Sequence, residues 1–140
     1  MSAKLMKGGP LAEKILRSVK REVSRLKKET GRTPSLANIR VGENYASALY
    51  EKAQKRRCES LGILFRSYAL PPTVTQRQAT DLISRLNQDR AVTGILLEVP
   101  LPKQLDPRQT LYALDPKKDV EGIHPQNLGE AIYRERRFGS

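Results

Sequence analysis

One cysteine, one histidine and no tryptophan in 140 residues remove several chemistries from consideration. The single thiol, Cys58, excludes an internal disulfide framework and suits a reducing, cytoplasmic compartment. With one His and one Cys, the chain cannot assemble the clustered ligands of a structural zinc site, and no metal is expected. No apolar run approaches the roughly 18 residues that a membrane helix needs, and the opening MSAKLMKGGP lacks the apolar centre of a secretory signal. No membrane partner is therefore expected. Also missing are a G-x-G-x-x-G loop and a Walker lysine loop; Gly8-Gly9 precede a helical pattern but follow no strand. A dinucleotide is not held here by that device. There is no internal repeat or low-complexity linker, and the length suits one domain, residues 1–140, with a real core.

Positive charge is what the chain has in excess: 26 Lys+Arg against 15 Asp+Glu, a net +11. Such a balance fits nucleic acid, an anionic small molecule, or solubility alone. Lys14, Arg17, Lys20, Arg21, Arg25, Lys27 and Lys28 share one helical segment with Glu13, Glu22 and Glu29, and Lys55-Arg56-Arg57 sit on a second. No aromatic residues interleave with them, as a single-strand binder would require. The charges read as solvated helix faces. A basic nucleic-acid binder is the least favoured alternative, and it would lose affinity steeply with salt.

From Pro10 to Thr30, Leu11, Ile15, Leu16, Val19, Val23 and Leu26 recur at helical spacing, which predicts an amphipathic helix stopped by Gly31. Leu36–Val41 reads as a strand. Asn44 or Ser47 would cap a helix running to about Leu61. Ile63–Leu70 reads as a second strand, broken by Pro71-Pro72. Thr75 starts a third helix with Ala79, Leu82, Ile83 and Leu86 on one face. Val92–Val99 reads as a strand buried on both faces, and Pro107–Leu114 and Gln126–Glu135 read as helices. Alternation of this kind predicts an α/β fold, three layers α-β-α, with a mostly parallel sheet covered by helices. Ligands of such sheets bind beyond the carboxyl ends of the strands. Here those exits are Gly42–Ser47 and Glu98–Pro102. The close at Arg136–Ser140 reads as a domain boundary.

Three segments carry candidate chemistry. In NYASALYEKAQ, Tyr50 and Gln54 are four apart and share a helix face. Tyr50 is either a core residue or a flat platform and hydroxyl for a heteroaromatic ligand. In GILLEVPLP, Glu98 ends a strand, and Pro100 and Pro102 hold the exit extended. Its carboxylate either meets water or faces a ligand at the sheet edge. In DPKKDVEGIHPQNLG, Asp119 and Glu121 precede Gly122 and the only His; this is a polar loop on composition. His124, before Pro125, reads as extended and has no evident catalytic partner.

Taken in order, these segments resemble the bifunctional methylenetetrahydrofolate dehydrogenase/cyclohydrolase family. KGGPLAEKI matches the family's D/N-G-K-x-I-A-x-x-I, VGENYASALY its V-G-x-N-x-A-S-x-x-Y, and CESLGI its C-E-x-x-G-I. GILLEVPLP matches G-I-L-V-Q-L-P-L-P, and KDVEGIHPQNLG matches K-D-V-D-G-x-x-x-x-N-x-G. The resemblance covers nearly the whole chain and implies the N-terminal, folate-binding catalytic domain of a two-domain enzyme. The family's Rossmann nucleotide domain is absent from these residues. The implied partner is a reduced folate, methylene- or methenyltetrahydrofolate. No cofactor is expected on this domain alone, and NADP or NAD is expected only with the C-terminal domain. Family members pair through that other domain, which puts a homodimer of the longer protein among the implied partners.

By the same resemblance Tyr50 packs on the folate, Pro100 and Leu101 belong to the substrate-binding segment, and three polar positions depart from the pattern. Gln54 stands at the family's lysine, Glu98 at its glutamine and Glu121 at its pterin-binding aspartate. Gln54 cannot exchange a proton, so it cannot replace an amine in proton transfer. Lys55 is rotated by about 100° around the helix from Gln54 and Lys52 points nearly opposite, so neither is an evident substitute. Glu121 adds a methylene, moving its carboxylate by about 1 Å, a misplacement that can cost about 100-fold in rate. The expectation is a dehydrogenase/cyclohydrolase homologue with weak or no cyclohydrolase activity; the alternative is a catalytically degenerate folate-binding or scaffold protein.

Overall fold

A computed structural model describes residues 8–42 and 45–135. The elements alternate: α1 (Gly8–Thr30), β1 (Ser35–Val41), α2 (Tyr45–Leu61), β2 (Leu64–Leu70), α3 (Gln76–Gln88), β3 (Gly94–Leu97), α4 (Pro107–Tyr112) and α5 (Pro125–Glu135). The three strands form one parallel sheet in the order β2-β1-β3. Leu36 pairs with Phe65 on one side and with Gly94 on the other. This is the predicted α/β architecture.

The side-chain alternation of β1 separates the two helical layers. Ala37 and Ile39 pack with Leu82, Ile83 and Leu86 of α3 and with Ile95 and Leu97 of β3, forming the main core. Each large side chain buried there contributes about 1.5–3 kcal/mol. The intervening residues Leu36, Asn38 and Arg40 face the other way, and Arg40 pairs with Glu51 of α2. Helix α3 begins where expected, at a complete capping box: the Thr75 hydroxyl accepts from Gln78 N, and the Gln78 amide oxygen accepts from Thr75 N.

Several boundaries differ from expectation. Helix α1 buries no residue; Leu11 and Ile15 are exposed and Leu16, Val19 and Val23 only half-buried. Gly8-Gly9 lie inside it rather than ahead of it. Helix α2 already includes Ser47, which is therefore not its cap; Asn44 and Arg136–Ser140 lie outside the described residues. Strand β3 is four residues, not eight: Val92 N is taken by Asp89 O in a turn, and Val99 is exposed beyond the strand. Although β3 is an edge strand, it is fully buried. The Lys118–Val120 segment lies along its outer side, with Ile95 N donating to Lys118 O at 2.7 Å. Among the described residues no helix is long and apolar enough to cross a membrane.

Candidate functional site

The strand exits at the carboxyl edge of the sheet converge on the segments marked in the sequence. At Gly42 the chain leaves β1 with φ +80°, a conformation that favours glycine, and its N–H donates to Leu70 O at 2.9 Å. Arg40 fastens the following helix. Its guanidinium donates to Gly42 O at 2.6 Å and to Glu51 Oε2 at 3.0 Å, with both side chains over four-fifths shielded. That pair holds the first turns of α2 over the sheet edge.

Tyr50, adjacent to Glu51, is 57 % exposed. The core-residue reading of Tyr50 is thereby overturned: among the described residues its ring lies largely open. Gln54 lies between Glu51 and buried Cys58 on the stripe of α2 that turns toward the sheet. Its Oε1 is enclosed by protein and accepts no hydrogen bond from the described residues. Lys52 and Lys55 are exposed, and Lys55 Nζ reaches Glu59 at 4.0 Å, so neither takes over the Gln54 position. Burial, followed by the charge of Glu59, pushes the Cys58 thiol up, as for an unreactive interior cysteine.

Glu98 is the first residue past β3 and half-buried, its N–H bound to Ile39 O at 2.9 Å. The amide that reaches its carboxylate is that of Asn38: Nδ2 donates to Glu98 Oε1 at 2.8 Å. Asn38 is fully buried in the central strand. None of the quoted motifs includes it, and the signal available was an Asn in the otherwise strand-like LANIRV, where that residue type is disfavoured. Beyond Glu98, Val99 and Pro100 are exposed and joined by a cis peptide bond, whereas Leu101 turns inward against both hydrophobic clusters. Leu101 anchors the segment, and Pro100 is left on its outer side.

The loop after β3's companion segment is organised by Asp119. Its Oδ1 accepts from Glu121 N at 3.2 Å and Gly122 N at 3.0 Å; its Oδ2 accepts from His124 N and Asn127 Nδ2, both at 2.8 Å. Burial alone would raise this carboxyl, but the hydrogen bonds outweigh it and hold it below the usual carboxylate value. Glu121, by contrast, is open to solvent, and its carboxyl is pushed up by partial desolvation and then by the charges of Asp119 and Glu98. Glu98 and Glu121 are therefore electrostatic neighbours. His124 is structural: buried edge-on to Tyr112 at 5.9 Å, it accepts from Gln126 N on Nδ1 at 3.1 Å and caps α5.

Comparison with known proteins gives this geometry a context. Residues 6–121 match the family described as tetrahydrofolate dehydrogenase/cyclohydrolase, catalytic domain. The bifunctional protein FolD 2 of Myxococcus xanthus is 44 % identical over 134 residues, 94 % of this chain and 46 % of its own length. Among solved structures, the bifunctional FolD methylenetetrahydrofolate dehydrogenase/cyclohydrolase of Campylobacter jejuni superimposes with TM-score 0.87 at 38 % identity, over 91 % of this chain and 45 % of that one. The Trypanosoma brucei enzyme, solved with NADP and an inhibitor, also gives 0.87, at 30 % identity over 96 % of this chain and 46 % of that one. The chain thus spans about half the length of the relatives it matches.

Proposed function

Because the chain belongs to the tetrahydrofolate dehydrogenase/cyclohydrolase family, we propose that residues 1–140 form one folate-binding domain of a cytoplasmic one-carbon enzyme whose cyclohydrolase activity is weak or absent. The observation that carries this reading is Gln54. At the family's lysine position, on the sheet-facing stripe of α2, stands an amide whose oxygen is buried without a donor. It cannot pass a proton to or from the water that would open a methenyl bridge.

The remaining residues have binding roles. The exposed Tyr50 ring offers a stacking face for a pterin or aminobenzoyl group. Pro100 gives the exit of β3 a rigid edge, and Glu121 presents an acceptor for a pterin N–H group. Dehydrogenation needs a nicotinamide, and these residues carry no glycine loop to hold its pyrophosphate. NADP or NAD, and a homodimer, belong to the longer protein in this reading. A free, buried Cys58 agrees with a reducing compartment.

The test is hydration of methenyltetrahydrofolate, followed by its absorbance. The chain as it stands is expected to add nothing to the uncatalysed rate, whereas the triple reversion Gln54→Lys, Glu98→Gln, Glu121→Asp is expected to gain turnover. Turnover by the unmodified chain that disappears in Tyr50→Ala would overturn the proposal. A revertant that binds a reduced folate but stays inactive would favour the second reading, a scaffold that binds folate without catalysis.

A further inference from the structure

The fully buried Asn38 needs a reason, because an unpaired amide in the central strand of a sheet is costly. Its Nδ2 is spent on Glu98 Oε1 at 2.8 Å, which fixes that carboxylate at the carboxyl edge of the sheet. Among the described residues nothing donates to its Oδ1 or to the enclosed Oε1 of Gln54. Among the described residues no Lys or Arg forms an ion pair with Glu98. Glu98 therefore holds a half-buried negative charge at the sheet edge with no protein cation among the described residues paired to it. The upward push of Glu98 on the Glu121 carboxyl is the same surplus felt by a neighbour.

The three departures from the family pattern shift charge in one direction. Lysine, glutamine and aspartate sum to zero when ionised, while Gln54, Glu98 and Glu121 sum to −2 over the same positions. The one-carbon folates differ in charge at the reacting carbon. Tetrahydrofolate and its methylene form are neutral across the two bridging nitrogens. Loss of a hydride, with its electron pair, from the methylene carbon to the nicotinamide leaves an amidinium-type cation, the methenyl form.

We propose that Glu98, held by Asn38, makes this site select the cationic methenyl folate over neutral reduced folates, with Asn38 as the positioning residue. The inference rests on the folate-binding reading and specifies which form the site prefers. A carboxylate within a few ångströms of a delocalised cation, partly shielded from water, supports a preference of roughly tenfold or more. Together with Gln54, such a site holds the methenyl form without assisting its hydration.

The experiment is calorimetric titration of the 140-residue chain with methenyltetrahydrofolate and with tetrahydrofolate, in one mildly acidic buffer in which the methenyl form persists. The unmodified chain should bind the methenyl form about tenfold more tightly or better. Glu98→Gln, which keeps an acceptor for the Asn38 amide, should bring the ratio of the two dissociation constants toward one. Asn38→Val should lower the same ratio while affinity for tetrahydrofolate holds. Equal loss of both ligands in Asn38→Val would mark Asn38 as merely structural and overturn its role. Equal binding by the unmodified chain, or a preference surviving Glu98→Gln, would overturn charge selection and leave the folate reading standing. Binding of neither ligand would remove the folate reading and the selection with it.

Discussion

Asp119 and Glu121 lie two residues apart, and their carboxyls are displaced in opposite directions. The folded-state value of Asp119 falls below its ordinary 3.8. Its stabilisation is therefore complete above that pH and is lost as the pH falls through the lower folded value. The folded-state value of Glu121 lies above its ordinary 4.5, so its contribution is complete below that pH and is lost as the pH rises through the folded value. Asp119→Asn puts an NH2 group where His124 N and the Asn127 amide now donate, at an expected cost of about 1–3 kcal/mol near neutral pH. Urea unfolding should show that deficit shrinking as the pH falls through the lowered folded value of Asp119, where the native carboxyl itself takes up a proton. Glu121→Gln should raise the neutral-pH midpoint slightly and leave the acid limb unchanged. A deficit for Asp119→Asn that is as large in acid as at neutrality would mean the loop does not depend on the ionised carboxylate.

At the scale of the elements, the pairing of β3 with the Lys118–Val120 segment brings the loop that carries Glu121 to the side of β3. Gly94 makes that approach possible: a Cβ there would stand 2.5 Å from Val120 Cγ1. Gly94→Ala is expected to destabilise by about 1–3 kcal/mol through overpacking. Val120→Ala alone should cost less, since Val120 is half exposed, and combining the two should recover most of the Gly94→Ala loss. Additive costs in a double-mutant cycle by thermal unfolding would disprove the contact. The strands and the helices between them were legible because short apolar runs and apolar residues at helical spacing are punctuated by Gly31, Pro71-Pro72 and the Thr75 cap. The extent of β3 was not, because Val92 and Val99 match a strand in composition while Val92 closes a turn with Asp89 and Val99 lies in a bend past the strand. Nor was the exposure of α1, whose apolar stripe is indistinguishable in sequence from one that is covered. For the candidate site, Tyr50, Gln54, Glu98 and Glu121 were marked by motif. Asn38 was missed because its meaning lies in a partner 60 residues away.

Over the whole molecule the surplus of positive charge is poorly answered. Four of the six ion pairs among the described residues are exposed pairs within one helix, a kind that contributes little. Arg66–Asp89 is more than a third exposed, and only Arg40–Glu51 is well shielded. Elsewhere like charges gather: Arg32, Arg66, Arg90 and Lys117 line one open depression of about 1000 Å³ at the amino edge of the sheet, with Asp115 beside them. At +11 the long-range balance in the folded state is repulsive, and compaction brings these charges closer than they are in the unfolded chain. Salt shortens the range of that repulsion to about 10 Å at 0.1 M and about 3 Å at 1 M. The melting temperature should therefore rise as sodium chloride increases, with most of the gain at the low end, where screening changes fastest. Sodium chloride serves better than sulfate, which strengthens apolar burial on its own account. A melting temperature that falls with added chloride would mean that the few attractive pairs, Arg40–Glu51 foremost, outweigh the repulsion among the 26 basic side chains.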